Sequence, residues 1–270
     1  MKSLVVPALA AMGLFVAMPA VADNWDQAFC NLPGCNDSFP TTTTNELVHG
    51  SSQIHDLDDN FSGLVDDEDW YFVSQKPYSS YEVIVDGTTP FLNRTTPVLL
   101  ALVDSSGTIQ TTDYATSSKG FTRSLRFANT TASAVDTDWA RVSAAADCGG
   151  GCIPIDQYSI RMYETTYFIP RYNNSGTQTT VMIVQNPTDF STGANVYFWN
   201  ATGTLVGSTS ATIPARGTVV LNTSTVPGVA GTGGSVTIAH NNRYGSLTGK
   251  AVAVEPATGF TFDTQMVAHP

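Results

Sequence analysis

An acidic turn, Asp66-Asp67-Glu68-Asp69, runs directly into an aromatic segment, Trp70-Tyr71-Phe72-Val73, and a second alternating segment, Tyr81-Glu82-Val83-Ile84-Val85, follows. Period-two alternation sends successive side chains to opposite faces of an extended chain. The two segments therefore read as the first hairpin of a sandwich, with Trp70 filling the space between sheets and Tyr71 facing out. Further short strands recur at Val98–Val103, Arg123–Phe127, Trp139–Val142 and Tyr158–Tyr163, and turn signals such as Asp104-Ser105-Ser106-Gly107 separate them. Such spacing predicts an all-β chain of antiparallel sandwiches.

Of the 270 residues, the first 22 read as a secretory signal peptide. Met1-Lys2 is basic, Val5 to Val16 is apolar, and Ala20-Val21-Ala22 is a small-residue cleavage site. The apolar run is too short to span a membrane. Export after cleavage at Ala22 implies a secreted or periplasmic protein. Residues 23–44 are expected to form an extended lead-in, because Pro33-Gly34, Pro40 and a threonine run resist regular structure. The remainder divides into a sandwich over 45–166 and a second over 167–270. Charge divides with it: Asp23 to Pro170 holds 20 acidic and 7 basic residues, the rest 3 and 4. The formal net charge of −11 argues against nucleic acid and anionic membranes as partners. Tyr163, Tyr167, Phe168 and Tyr172 crowd the connection between the halves, so the sandwiches are expected to touch there and bury these rings.

The order of pieces over about Asn45 to Glu164 resembles the bacterial pre-peptidase C-terminal domain. The matching elements are Asp69-Trp70-Tyr71-Phe72, Tyr81-Glu82-Val83, Leu100-Ala101-Leu102-Val103-Asp104-Ser105-Ser106-Gly107, Ser124-Leu125-Arg126-Phe127 and Asp156-Gln157-Tyr158-Ser159-Ile160. Where that family has a Gly-Tyr-Tyr type strand, this chain has Trp139-Ala140-Arg141-Val142 and then an insert carrying Cys148 and Cys152. The resemblance implies a secreted, jelly-roll-like sandwich that ordinarily rides on a protease or hydrolase. Some relatives, the collagen-binding domains of clostridial collagenases, bind calcium near the start of the domain. The second half is similar in a general way to the immunoglobulin-like sandwiches of bacterial exported proteins.

Four cysteines, Cys30, Cys35, Cys148 and Cys152, in an exported chain point to disulfides. The pairing is either local, Cys30–Cys35 with Cys148–Cys152, or crossed. Calcium takes six to eight oxygens, often carboxylates on loops. Asp56, Asp58, Asp59, Asp66, Asp67 and Asp69, with Glu68 among them, form a candidate Ca2+ site, against the plainer reading of a solvated acidic turn. His49, His55, His240 and His269 lie in no ligand pair; His49 and His55 could approach the acidic turn but read as exposed loop residues. Tyr71 and Tyr197 are candidate stacking residues for a ligand. Glu82 and Asp86 are the carboxylates a hydrolase would use, against the plainer reading of single strand carboxylates that face solvent. No nucleophile motif such as Gly-x-Ser-x-Gly occurs. The sequence thus predicts an exported, non-catalytic adhesion, scaffold or accessory module whose partner is an extracellular polymer or protein. The alternatives are a calcium-assisted carbohydrate- or protein-binding module and an unrecognised hydrolase.

Overall fold

The corner Lys76-Pro77-Tyr78 decides the topology of the first half. Pro77 has no N–H to give. The Lys76 N–H bonds to the Tyr81 hydroxyl at 2.7 Å, and the Tyr78 N–H to the Thr131 carbonyl at 3.2 Å. A hairpin ladder has no donors left there, so the two segments expected to pair enter opposite sheets. The computed structural model describes residues 43–55, 68–87, 98–113, 122–144 and 158–269. Its first eight strands are β1 (Ser52–His55), β2 (Glu68–Gln75), β3 (Ser79–Gly87), β4 (Val98–Val103), β5 (Ile109–Asp113), β6 (Thr122–Asn129), β7 (Val135–Ala144) and β8 (Tyr158–Glu164). They form two four-stranded sheets, ordered β1-β8-β3-β6 and β2-β7-β4-β5. This interleaving of antiparallel strands is the order of a jelly roll. The expected architecture is present, but β2 and β3 are a corner between sheets rather than a hairpin.

The phase of β2 is also the reverse of the expected one. Tyr71 and Val73 point into the core with Val83, Val85, Leu100, Leu125 and Ile160. Burying each such aliphatic side chain contributes roughly 1.5–3 kcal/mol. Trp70 lies on the outer face of its sheet, where Ala101, Val103 and Trp139 pack beside it and the Arg141 guanidinium sits 5.3 Å from its ring centroid. It is shielded from water without filling the sandwich. Aromatic residues occupy both faces of β2, so alternation alone does not choose between them. The choice follows the polar partners inside: the Tyr158 hydroxyl donates to Asp69, and the Tyr71 hydroxyl meets that of Tyr158. In β1 Ile54 is 60% exposed, and its neighbour His55 is buried.

The second half contains β9 (Tyr167–Asn173), β10 (Thr179–Gln185), β11 (Thr192–Asn200), β12 (Leu205–Ile213), β13 (Thr218–Asn222), β14 (Gly233–His240), β15 (Thr248–Glu255), β16 (Phe260–Gln265) and β17 (Val267–Ala268). These make a sheet β13-β10-β15-β16 and a sheet β12-β11-β14-β9-β17, again antiparallel. Ile169, Tyr172, Met182, Phe198, Val236 and Ile238 fill the space between them, a core separate from the first. Gly233-Gly234 opens β14. A Cβ on Gly234 would stand 1.8 Å from the Trp199 carbonyl oxygen, so the glycine permits a close backbone approach.

The connection between the sandwiches is only Thr165-Thr166, between the end of β8 and the start of β9, and both residues are buried. Of the four aromatics expected between the halves, Tyr167 and Tyr172 belong to the second core. Tyr163 does reach across, stacking on Tyr244 at 4.9 Å with an interplanar angle of 16°. Among the described residues no helix is long and apolar enough to cross a membrane.

Candidate functional site

Most of the residues singled out from sequence fall in two groups. Cys30, Cys35, Cys148 and Cys152, the signal segment, and Asp56, Asp58, Asp59, Asp66 and Asp67 lie outside the described residues. The rest are inside the fold. Asp69 is buried and accepts the Tyr158 hydroxyl, so it faces the core rather than an ion in solvent. Burial, then the adjacent Asp69 carboxylate, raises the Tyr158 hydroxyl well above its ordinary value and keeps it a donor. Glu68 pairs with Arg141 at 3.0 Å. Among the described residues no group of three or more His, Cys, Asp or Glu is arranged to hold a metal. Tyr71 is fully buried and Tyr197 nearly so, which removes both as stacking surfaces. Tyr197 is covered by Tyr78, whose ring lies 4.7 Å from it and 5.3 Å from Trp199. Tyr78 holds a left-handed backbone conformation, φ 55°, that brings it over this ledge.

What the structure assembles instead is a joint between the sandwiches, built from β3, the Thr165-Thr166 link and the end of β14. Ser80, in β3, is the hub. Its carbonyl accepts the Thr165 N–H at 2.7 Å, and its N–H reaches Thr166 Oγ1 at 3.0 Å. Its hydroxyl accepts from Thr165 Oγ1 at 2.9 Å and from the His240 N–H at 3.1 Å. His240 is 2% exposed. Its Nε2 lies 2.8 Å from the Thr165 carbonyl, and its Nδ1 accepts the Asn242 N–H at 3.0 Å. A carbonyl on one side and an N–H on the other require the neutral, Nε2-protonated tautomer. Burial drives the His240 pKa down to about 4, against the weaker opposing effects of the Thr165 carbonyl and Glu82.

Glu82 completes the joint. Expected as a solvent-facing strand carboxylate, it is buried. Its Oε1 accepts from Ser124 Oγ at 2.7 Å and Arg126 Nε at 3.0 Å, both on β6. Its Oε2 accepts the Tyr244 N–H at 2.9 Å, in the second sandwich. A buried carboxylate needs such a full set of donors to stay in place. Asp86, further along β3, pairs with Arg161 at 2.6 Å.

Beside the joint lies a half-exposed ledge. Lys76 Nζ and His269 Nε2 meet Glu164 Oε2 at 2.8 and 3.3 Å. His49 accepts the Glu164 N–H on Nδ1 at 2.8 Å, and its ring sits 5.1 Å from His269 and 5.5 Å from Tyr244. Burial, then the neighbouring His269, lowers the His49 pKa. Tyr244 is 37% exposed and is the aromatic of this group most open to solvent. The exposed-loop reading therefore fails for His55, which is buried; His240 is buried as well, and His49 and His269 are half-buried partners across the joint. Sequence reasoning missed Ser80, Thr165 and Tyr244 altogether. Their only local signals are a serine beginning an apolar strand and a threonine pair between two strands.

No protein-family profile and no curated protein matches the chain. Among solved structures, a protein of Eubacterium rectale described as secreted is similar over 80% of this chain and 72% of its own, at 10% identity and a TM-score of 0.25. A calcium-binding mutant of Bacteroides uniformis β-glucuronidase 2 is similar at 12% identity and a TM-score of 0.21, over 75% of this chain and 26% of the enzyme. A glycosyl hydrolase family 2 member from Bacteroides cellulosilyticus is similar at 7% identity and a TM-score of 0.22, over 82% of this chain and 30% of the enzyme. The chain thus spans less than a third of either hydrolase.

Proposed function

We propose that this is an exported, non-catalytic protein of two β-sandwiches that serves as an adhesion, scaffold or accessory binding module. The observation that carries the reading is how Glu82 is used. It is tied by Ser124, Arg126 and the Tyr244 N–H into the joint between the sandwiches. Four residues along a strand separate it from Asp86 by about 13 Å. Carboxyl pairs in glycosidases stand roughly 5–9.5 Å apart. Glu164 is likewise held by Lys76 and His269. These groups keep two sandwiches in a fixed relation, which suits a binding arm better than a reaction centre. The jelly-roll strand order is compatible with the resemblance to the pre-peptidase C-terminal domain, and the signal-peptide pattern of residues 1–22 supports export.

The test is retention of the purified mature protein on insoluble polysaccharides and on immobilised collagen. The expected result is retention on at least one matrix, with no soluble product released from it. Release of sugar or peptide that stops in Glu82→Gln while that variant remains folded would replace this reading with a hydrolase. Passage through every matrix would remove the binding reading.

A further inference from the structure

On the side of the joint away from the histidine ledge, the two sandwiches leave a cleft of about 330 Å³. We propose that this cleft binds an uncharged, hydroxyl-rich ligand, a short stretch of neutral oligosaccharide, a reading that rests on the binding-module function above. Its floor is the outer face of the β12-β11-β14 sheet. Register places Asn195 opposite Ser210 and Gly193 opposite Thr212 across β11 and β12, and Asn195 opposite Ala239 across β11 and β14. Gly193 and Ala239 are small, so the floor is recessed between the taller polar residues.

Three features choose the ligand class. The first is unfilled hydrogen-bonding capacity: among the described residues, Asn195, Ser210 and Thr212 make no side-chain hydrogen bond to the protein, and Ser210 and Thr212 are exposed. They offer an amide and two hydroxyls, donors and acceptors together, grouped on neighbouring positions of β11 and β12. The second is charge. The lining holds no carboxylate, lysine or arginine, in a chain of net charge −11. Its one titratable member, His240, is fixed as the neutral tautomer by Thr165 and Asn242. A charged ligand would find no counter-ion, whereas a neutral polyol loses only hydrogen bonds that these side chains replace. The third is the wall given by the first sandwich. Phe127 lines it, half-buried against the edge of the first core and stacked on Tyr81 at 5.6 Å with an angle of 23°. A rigid ring at the edge of a polar floor matches the C–H face of a sugar.

Calorimetry with the mature protein tests this, using cellohexaose, maltohexaose, xylohexaose and mannohexaose as probes and an oligogalacturonate as the acidic counterpart. At least one neutral hexasaccharide is expected to bind, and the oligogalacturonate is not. Asn195→Ala with Ser210→Ala should weaken that binding about ten-fold or more through two lost hydrogen bonds. Ala128→Trp, at an exposed position on the rim, should abolish it by filling the cleft without touching either core. Unchanged melting temperatures in both variants exclude misfolding as the cause. The proposal is overturned if no neutral probe binds, or if a bound probe is indifferent to both variants. Failure of every probe with retention on collagen preserved would sink the cleft alone; failure of both would sink the binding-module reading as well.

Discussion

Glu82→Ala is expected to destabilise the protein by about 3 kcal/mol at neutral pH, the low end of the range for breaking a buried ion pair. The substitution removes the acceptor of three donors at once: Ser124 Oγ, Arg126 Nε and the Tyr244 N–H. The Arg126 side chain keeps 29% of its surface in water, which moderates the cost of leaving it unpaired. Glu82→Gln retains an oxygen for part of this set and loses the charge, so it should cost roughly 1–2 kcal/mol. Urea unfolding of the full chain measures both. Wild-type stability in Glu82→Ala would mean that this carboxylate does not hold the joint, and the proposed role of Glu82 would go with it.

The second large effect is acid sensitivity from His240. The unfolded chain carries this imidazole at its ordinary pKa of 6.5, and the folded protein holds it at about 4. Between those values the unfolded state binds the extra proton, so stability is intact above about pH 6.5 and is lost as pH falls toward about pH 4. The full loss is about 3 kcal/mol. Geometry agrees with the direction, because a proton on Nδ1 would confront the Asn242 N–H that it now accepts. Glu82 and Arg126 bias the same ring in opposite senses. His240→Gln keeps one donor and one acceptor and cannot titrate. Denaturation curves for both proteins at about pH 7 and about pH 4.5 should show the wild type losing markedly more stability than the variant across this window. Parallel pH dependence in the two would contradict the assignment. His49 adds to acid loss in both proteins, since its pKa is also lowered.

Much of the fold was legible because alternation survives tertiary packing. Val98–Val103 is a central strand, and Tyr158 to Glu164 alternates buried and partly buried side chains along its length. The jelly-roll order was reachable only through the resemblance of the ordered motifs. Local reading of β2 and β3 favoured a hairpin, and the corner at Pro77 and Tyr78 overrode it. The direction of Trp70 and Tyr71 was not legible, because both faces of that strand are aromatic and the choice rests on Tyr158, 87 residues away from Tyr71. The joint was hidden for the same reason. Ser80 meets His240 across 160 residues, and Glu82 meets Tyr244 across 162. A lone carboxylate in a strand and a lone histidine at a strand end carry no mark of such partners. Asn195, Ser210 and Thr212 escaped notice because their alignment depends on the register of β11 with β12, which local pattern does not specify.

Residue-resolved hydrogen exchange on the full chain tests the central idea, that buried polar contacts lock two sandwiches into one unit. The decisive amides are those of Ser80, Thr165, His240 and Tyr244, each donating within the joint. Protection comparable to that of the β3 and β14 interiors is the predicted result. Exchange of the Thr165, His240 and Tyr244 amides at the rate of an open linker, with both cores still protected, would contradict it.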